Sequence, residues 1–196
     1  NSSMFCNKFG VMKWLIAFVL TLCLYDVVKS DSCDIIKRDE WGARPTKGVD
    51  DIIFPIEMVI IHHTATRYCA SITPCKLTVL SIQDYHIDKL KYTDIGYNFL
   101  IGDDGYIYEG RGWHKQGAHL DGYNTKSIGI AFIGNFSTTL PLDWALEAAK
   151  SLIACGVELG ELSNNFKLHG AQQLSATESP GTELLNNLKN WDHFAE

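Results

Sequence analysis

Met58-Val59-Ile60-Ile61 is an unbroken apolar run that passes straight into His62-His63-Thr64. It is too short for a helix and lacks the alternation of a half-solvated strand, so it reads as a strand buried on both faces. A doubly buried strand needs cover above and below, which restricts the chain to layered folds. Ile128 to Ile133 is a second run of this kind. Helical spacing appears over Lys76 to Lys89, through Leu77, Leu80, Asp84 and Ile87. It appears again from Pro141, placed at a helix N1 position, through Trp144, Ala145, Ala148, Leu152 and Cys155 to about Gly160. Tyr97 to Ile101 and Tyr106 to Glu109 flank Gly102-Asp103-Asp104-Gly105 as a hairpin. Phe166 to His169 reads as a short strand, Ala171 to Gly181 as a loop and Thr182 to Trp191 as a terminal helix. The expected fold class is α/β, a single domain with a central mixed β-sheet flanked by helices.

The first 30 residues stand outside that domain. Val11 to Leu24 is apolar, with Lys8 and Lys13 near its start, and is too short for a comfortable membrane span. It reads as a secretory signal peptide starting at Met4 or Met12, with cleavage near Ser30 and residues 31–196 as the exported domain, without a membrane anchor. Cys6 and Cys23 leave with that segment, while Cys33, Cys69, Cys75 and Cys155 remain. An even number in an exported chain implies disulfides, and four cysteines allow three connectivities. Cys69 and Cys75 are close in sequence around Pro74 and are paired here; Cys33 and Cys155 follow by elimination. The absence of any Cys-x-x-Cys pair speaks against a metal role. The net charge of −6 and the lack of a Lys/Arg cluster leave no electrostatic attraction for nucleic acid.

His62 and His63 fall at the end of a buried strand, where ligand sites of α/β sheets gather. Gly110 to Gly122 is a long glycine-rich loop carrying Trp113, His114 and His119, of a length that compact domains keep for function.

Segments in series carry a resemblance. They are Val59-Ile60-Ile61-His62-His63-Thr64, Asp94-Ile95-Gly96-Tyr97-Asn98-Phe99-Leu100-Ile101-Gly102 and Tyr108-Glu109-Gly110-Arg111-Gly112-Trp113. Gly117-Ala118-His119, Ser127 to Phe136 and Ser175-Ala176-Thr177-Glu178-Ser179-Pro180-Gly181 follow in order. Together they resemble the peptidoglycan recognition proteins, relatives of zinc-dependent N-acetylmuramoyl-L-alanine amidases, and most of all the short secreted insect members of the SA type.

The resemblance implies an amidase-like fold with a dismantled metal site. The family's enzymes hold zinc with two histidines and a cysteine. The first matches His62; the second position is Ala171 in Gly170-Ala171-Gln172-Gln173; the third is Ser179 in Ser179-Pro180-Gly181. A methyl cannot coordinate, a neutral hydroxyl poorly replaces a thiolate, and without zinc nothing brings a water pKa toward about 7. His169 would share a strand face with Ala171 but start about 6 to 7 Å away, and is read as a partly exposed strand histidine. No catalytic residue, metal or cofactor is therefore expected.

What remains is a groove for peptidoglycan, with aromatic faces and fixed polar partners. The resemblance puts His62, His63, Thr64, Tyr85, His86, Tyr92, Tyr97, Gly112, Trp113, His119, Asn124, Ser127 and Thr177 in it, Trp113 foremost. Tyr97 matches a tyrosine that assists the amidase reaction. Gly112-Trp113 leans toward diaminopimelate-type polymer, yet Thr125 stands where diaminopimelate binders place arginine, and SA-type members go with lysine-type walls; lysine-type is expected. The implied function is a secreted pattern-recognition receptor that, with a glucan-binding-family protein, starts a Toll-type innate immune cascade. The alternatives are a hydrolase, either a zinc amidase with substitute ligands or a serine carboxypeptidase using Ser179 and His62, and a scavenging binder outside signalling. Asn135-Phe136-Ser137 is a glycosylation sequon.

Overall fold

The computed structural model describes Cys33–Glu196; residues 1–32, on which the signal-peptide reading with Cys6 and Cys23 falls, lie outside the described residues. Strand β1 (Ile56–His63) pairs in parallel with β4 (Ser127–Phe132) on one side and with β5 (Leu162–Gly170) on the other. Strand β2 (Phe99–Ile101) is parallel to β4 and antiparallel to β3 (Ile107–Glu109). The sheet order is β3-β2-β4-β1-β5, mixed as expected, with the doubly buried runs at its centre. Val59, Ile60 and Ile61 have no exposed surface.

The pleat divides each strand between two cores. Val59, Ile61, Ile128 and Ile130 face helices α2 (Asp143–Glu158) and α3 (Thr182–Leu188), where Leu152, Leu184 and Leu188 meet them. On the other face Leu100, Ala131 and Ile133 pack under helix α1 (Ile72–Asp84) through Cys75, Val79 and Ile82. Ile60 joins Leu120 and Ala171 in a small third cluster on that second face.

Several boundaries differ from the sequence reading, each for a local reason. Helix α1 begins at Ile72 rather than Lys76, because Pro74 falls in the first turn, where its missing N–H costs nothing. Pro141 precedes the N-cap Leu142 instead of opening α2; Asp103 from the β2–β3 turn accepts the Leu142 N–H and caps the helix from a distance. Strand β5 reaches back to Leu162 across Ser163-Asn164-Asn165, polar residues tolerated on an edge strand. Helix α3 stops at Leu188, because the tail returns to the β5 edge: Leu168 N–H donates to His193 O and Ala195 N–H to Leu168 O. The pairings Cys69–Cys75 and Cys33–Cys155 are both present. No helix among the described residues is long and apolar enough to cross a membrane.

Candidate functional site

His62, the penultimate residue of β1, lies on the face that carries Ile60, and His63, which ends the strand, takes the opposite face. The two histidines therefore do different things. His63 is buried; its Nδ1 accepts the Phe136 N–H at 3.2 Å and its own N–H donates to Ser179 Oγ at 3.0 Å. It ties the strand end to neighbouring loops. His62 meets His119, Nε2 to Nδ1, at 3.0 Å, and Ser179 Oγ lies 3.5 Å from its Nδ1. The Tyr97 ring lies 5.5 Å from that of His62.

His119 stands in a slot made by two glycines. A methyl at Gly129 would sit 2.4 Å from its Cγ, and one at Gly117 2.2 Å from its Cδ2. Its backbone is held as well, since Asn124 Oδ1 accepts the N–H of both His119 and Leu120. Burial drives His62 well below the ordinary imidazole pKa, helped by the charges of His119 and His63. Burial likewise brings His119 down to about 4. Both rings are neutral at pH 7, and they share one proton across their contact. Burial also pushes the Tyr97 phenol up to about 12, so it stays a hydrogen-bond donor.

Tyr97 leads outward to an aromatic wall. His86 is 5.6 Å from Tyr97 and 5.5 Å from Tyr92, and Tyr85 is 6.2 Å from His86. Helix α1 widens into a π-turn over Tyr85–Lys89, a device common at functional sites, and this turn presents Tyr85 and His86. Tyr85, His86 and Tyr97 line a cavity of about 450 Å³ with Thr64, Thr66 and Ser81, within the small-ligand range. Thr64 Oγ1 also accepts the Gly134 N–H, and Thr177 Oγ1 the Ser179 N–H.

His86 Nδ1 accepts the Gly96 N–H at 2.9 Å, which requires a neutral ring. Burial, then the nearby Arg111 charge, brings its pKa from 6.5 down to about 4. The folded pKa is depressed, so the stabilisation is complete above pH 6.5 and is lost as pH falls through 4. Discounted for partial exposure, it is worth about 2 kcal/mol. NMR titration should place His86 near pH 4, and urea stability should fall across that window; a midpoint near 6.5 would sink this account.

Other candidates sit elsewhere. Trp113 is a correction. Its ring packs 4.6 Å from Phe99 and against Gly156 of α2, on the core face of the sheet away from His62. A large apolar ring gains more from that burial than from a place in a wet groove. Ser127 is fully buried and donates to Tyr123 O. Gly112 (φ +74°) and Asn124 shape the loop. His169 is buried rather than partly exposed, beside Ile60 in register.

The sequence reading missed Asn98. It is fully buried; its Nδ2 donates to Gly112 O and Lys115 O at 2.8 Å each, and its Oδ1 accepts the Gly129 N–H at 2.9 Å. An amide in an otherwise apolar strand was the available signal, because asparagine is depleted there unless its polar groups are answered.

The donor set does not fit zinc. Ala171 has no exposed surface and lies with Ile60 and Leu120, so its position offers a methyl in an apolar cluster. Among the described residues no group of three or more His, Cys, Asp or Glu side chains could hold a metal.

Residues 54–182 match the model of the family described as N-acetylmuramoyl-L-alanine amidase. The chain is 49% identical to peptidoglycan-recognition protein 1 of Holotrichia diomphalia over 82% of this chain and 81% of that one. It is 44% identical to peptidoglycan-recognition protein SA of Drosophila melanogaster over 95% and 96%. Among solved structures, bumblebee PGRP-SA superposes with a TM-score of 0.82 at 46% identity, covering 84% of this chain and 98% of that one. Human PGRP-IBETAC, solved with glycosamyl muramyl pentapeptide, gives a TM-score of 0.82 at 44% identity, covering 84% and 100%.

Proposed function

The chain belongs to the N-acetylmuramoyl-L-alanine amidase family, among its peptidoglycan-recognition proteins, and on that premise we propose that it is a secreted, non-catalytic receptor for bacterial peptidoglycan. What supports the reading is the pair Ala171 and Ser179: a buried methyl and a hydroxyl beside His62, at the positions where the sequence resemblance puts the enzymes' histidine and cysteine. A water beside His62 then lacks the Lewis acid that would make it a nucleophile. The binding parts remain. Tyr85, His86 and Tyr97 offer ring faces for sugar and peptide C–H groups, and Thr64 and the Tyr97 phenol offer hydrogen bonds. The human relative's muramyl pentapeptide supports the same ligand class here. The receptor prefers lysine-type polymer and works with a glucan-binding-family protein to start a Toll-type innate immune cascade.

A second reading rests on the 3.5 Å approach of Ser179 Oγ to His62 Nδ1. If His62 Nδ1 is the unprotonated nitrogen, it can accept the Ser179 proton while its Nε2–H donates to His119 Nδ1. That arrangement would serve a serine-type carboxypeptidase on the stem peptide.

Co-sedimentation with insoluble lysine-type and diaminopimelate-type peptidoglycan, with mass spectrometry of the supernatants, separates the readings. The receptor pellets with the polymer, more with the lysine type, and leaves the supernatant clean. Release of whole stem peptides points to amidase activity. Trimmed peptides that vanish in Ser179→Ala establish the carboxypeptidase instead.

A further inference from the structure

On the α2 and α3 side of the sheet, away from His62, two cavities share Lys150, Asn190 and Trp191 and so form one trough. The larger, about 500 Å³, is lined by Ile153, Val157, Phe166 and Leu168. The smaller, about 250 Å³, is bounded by Asp143, Glu147 and Asn187. Trp191 stands at the junction. Its Nε1–H donates to Asn187 Oδ1 at 2.9 Å, which fixes the indole, and Lys150 Nζ lies 5.4 Å from its ring centroid.

We infer that this trough is a second carbohydrate site, which takes N-acetylated amino sugars of a glycan strand. The inference rests on the reading of peptidoglycan as the ligand, and it adds a contact to the glycan backbone separate from the stem-peptide groove. The chemistry matches in three respects. A pyranose has an apolar C–H face, for which a fixed indole is the usual partner. Its hydroxyls need both donors and acceptors at short range, and Asn187, Asn190, Lys150, Asp143 and Glu147 supply both. Its acetamido methyl needs a dry place, which Ile153, Val157 and Phe166 provide. A purely lipidic ligand would waste the polar half, and a purely ionic one the apolar half. Two sites on opposite faces of the sheet give a polymer two holds, so capture of long strands exceeds what either site achieves alone.

The test is an NMR titration of the protein with chitotetraose, a probe that carries the acetamido sugar and no stem peptide, followed by titration with a muramyl pentapeptide. Chitotetraose should shift the Trp191 indole N–H. The exposed pair Lys150→Ala and Asn190→Ala, which spares the core, should weaken chitotetraose by at least tenfold and leave the muramyl pentapeptide unchanged. Pelleting with long-strand polymer should fall by roughly 10²-fold. The inference is overturned if saturating chitotetraose leaves Trp191 unmoved, if it shifts only Tyr85 and Tyr97, or if the pair binds it like the parent. Should the muramyl pentapeptide fail to bind while chitotetraose still moves Trp191, the trough stands and the stem-peptide groove falls.

Discussion

Asn98→Ala is expected to lower unfolding stability by about 4 kcal/mol, among the larger effects a single substitution produces. Three bonds vanish at once: two carbonyls, of Gly112 and Lys115, lose their donor, and the Gly129 N–H loses its acceptor. An orphaned buried polar group costs about 1 to 3 kcal/mol, and alanine leaves no room for several waters to answer all three. Denaturation by urea should show a lower midpoint with an unchanged slope, and Tm should drop by about 12 °C. The control is Asn98→Asp. It keeps an oxygen for Gly129 but points a carboxylate at two carbonyls, so it should be nearly as damaging as alanine. A harmless aspartate would show that the amide donors do not hold the loop. Binding should suffer beyond stability: Asn98 fixes the 110–122 loop to β4, and that loop delivers His119 into the slot between Gly117 and Gly129. Peptidoglycan capture should therefore fall even where the variant remains folded.

That residue also marks where the sequence could be read and where it could not. The two doubly buried strands, the hairpin and the Cys69–Cys75 pair were legible, because each rests on a local pattern: a continuous apolar run, a Gly-Asp-Asp-Gly turn, two cysteines at short spacing. The Cys33–Cys155 pair, 122 residues apart, then followed by elimination. The boundaries of α1 and α2 were not. Pro74 is a breaker inside a helix and harmless in its first turn, and the cap of α2 comes from Asp103, far away in sequence. The site shows the same division. His62 and Ser179 were drawn together by motif order, and the structure brings them to 3.5 Å. The separation of His62 from His63 follows from the two-residue period of a strand and was available without coordinates. The fate of Trp113 was not, since a glycine-flanked tryptophan is equally consistent with a groove and with a core. Only the third dimension, which sets Phe99 and Gly156 against its ring, decides for the core.

The other large effect concerns how the N-terminal segment is held. Replacing Cys33 and Cys155 together by alanine is expected to cost about 5 kcal/mol in the chain-entropy account, whereas the same treatment of Cys69 and Cys75 should cost about 2 kcal/mol. The difference lies in the unfolded chain: one bridge spans 122 residues of sequence and the other 6, and closure entropy grows with the logarithm of that length. Cys33 starts the segment whose Ile36 pairs with β3, Ile36 N–H donating to Ile107 O and Glu109 N–H to Ile36 O. The bridge therefore fastens the sheet edge at β3 to α2 across the apolar core. Urea unfolding of both double variants beside the parent checks the ordering. Equal losses would mean that native contacts around each bridge, rather than loop length, set its contribution. Hydrogen exchange offers an independent reading. Loss of Cys33–Cys155 should speed exchange of the Ile36 and Glu109 amides first, while the Asn98 and Gly129 amides at the sheet centre remain protected until global unfolding.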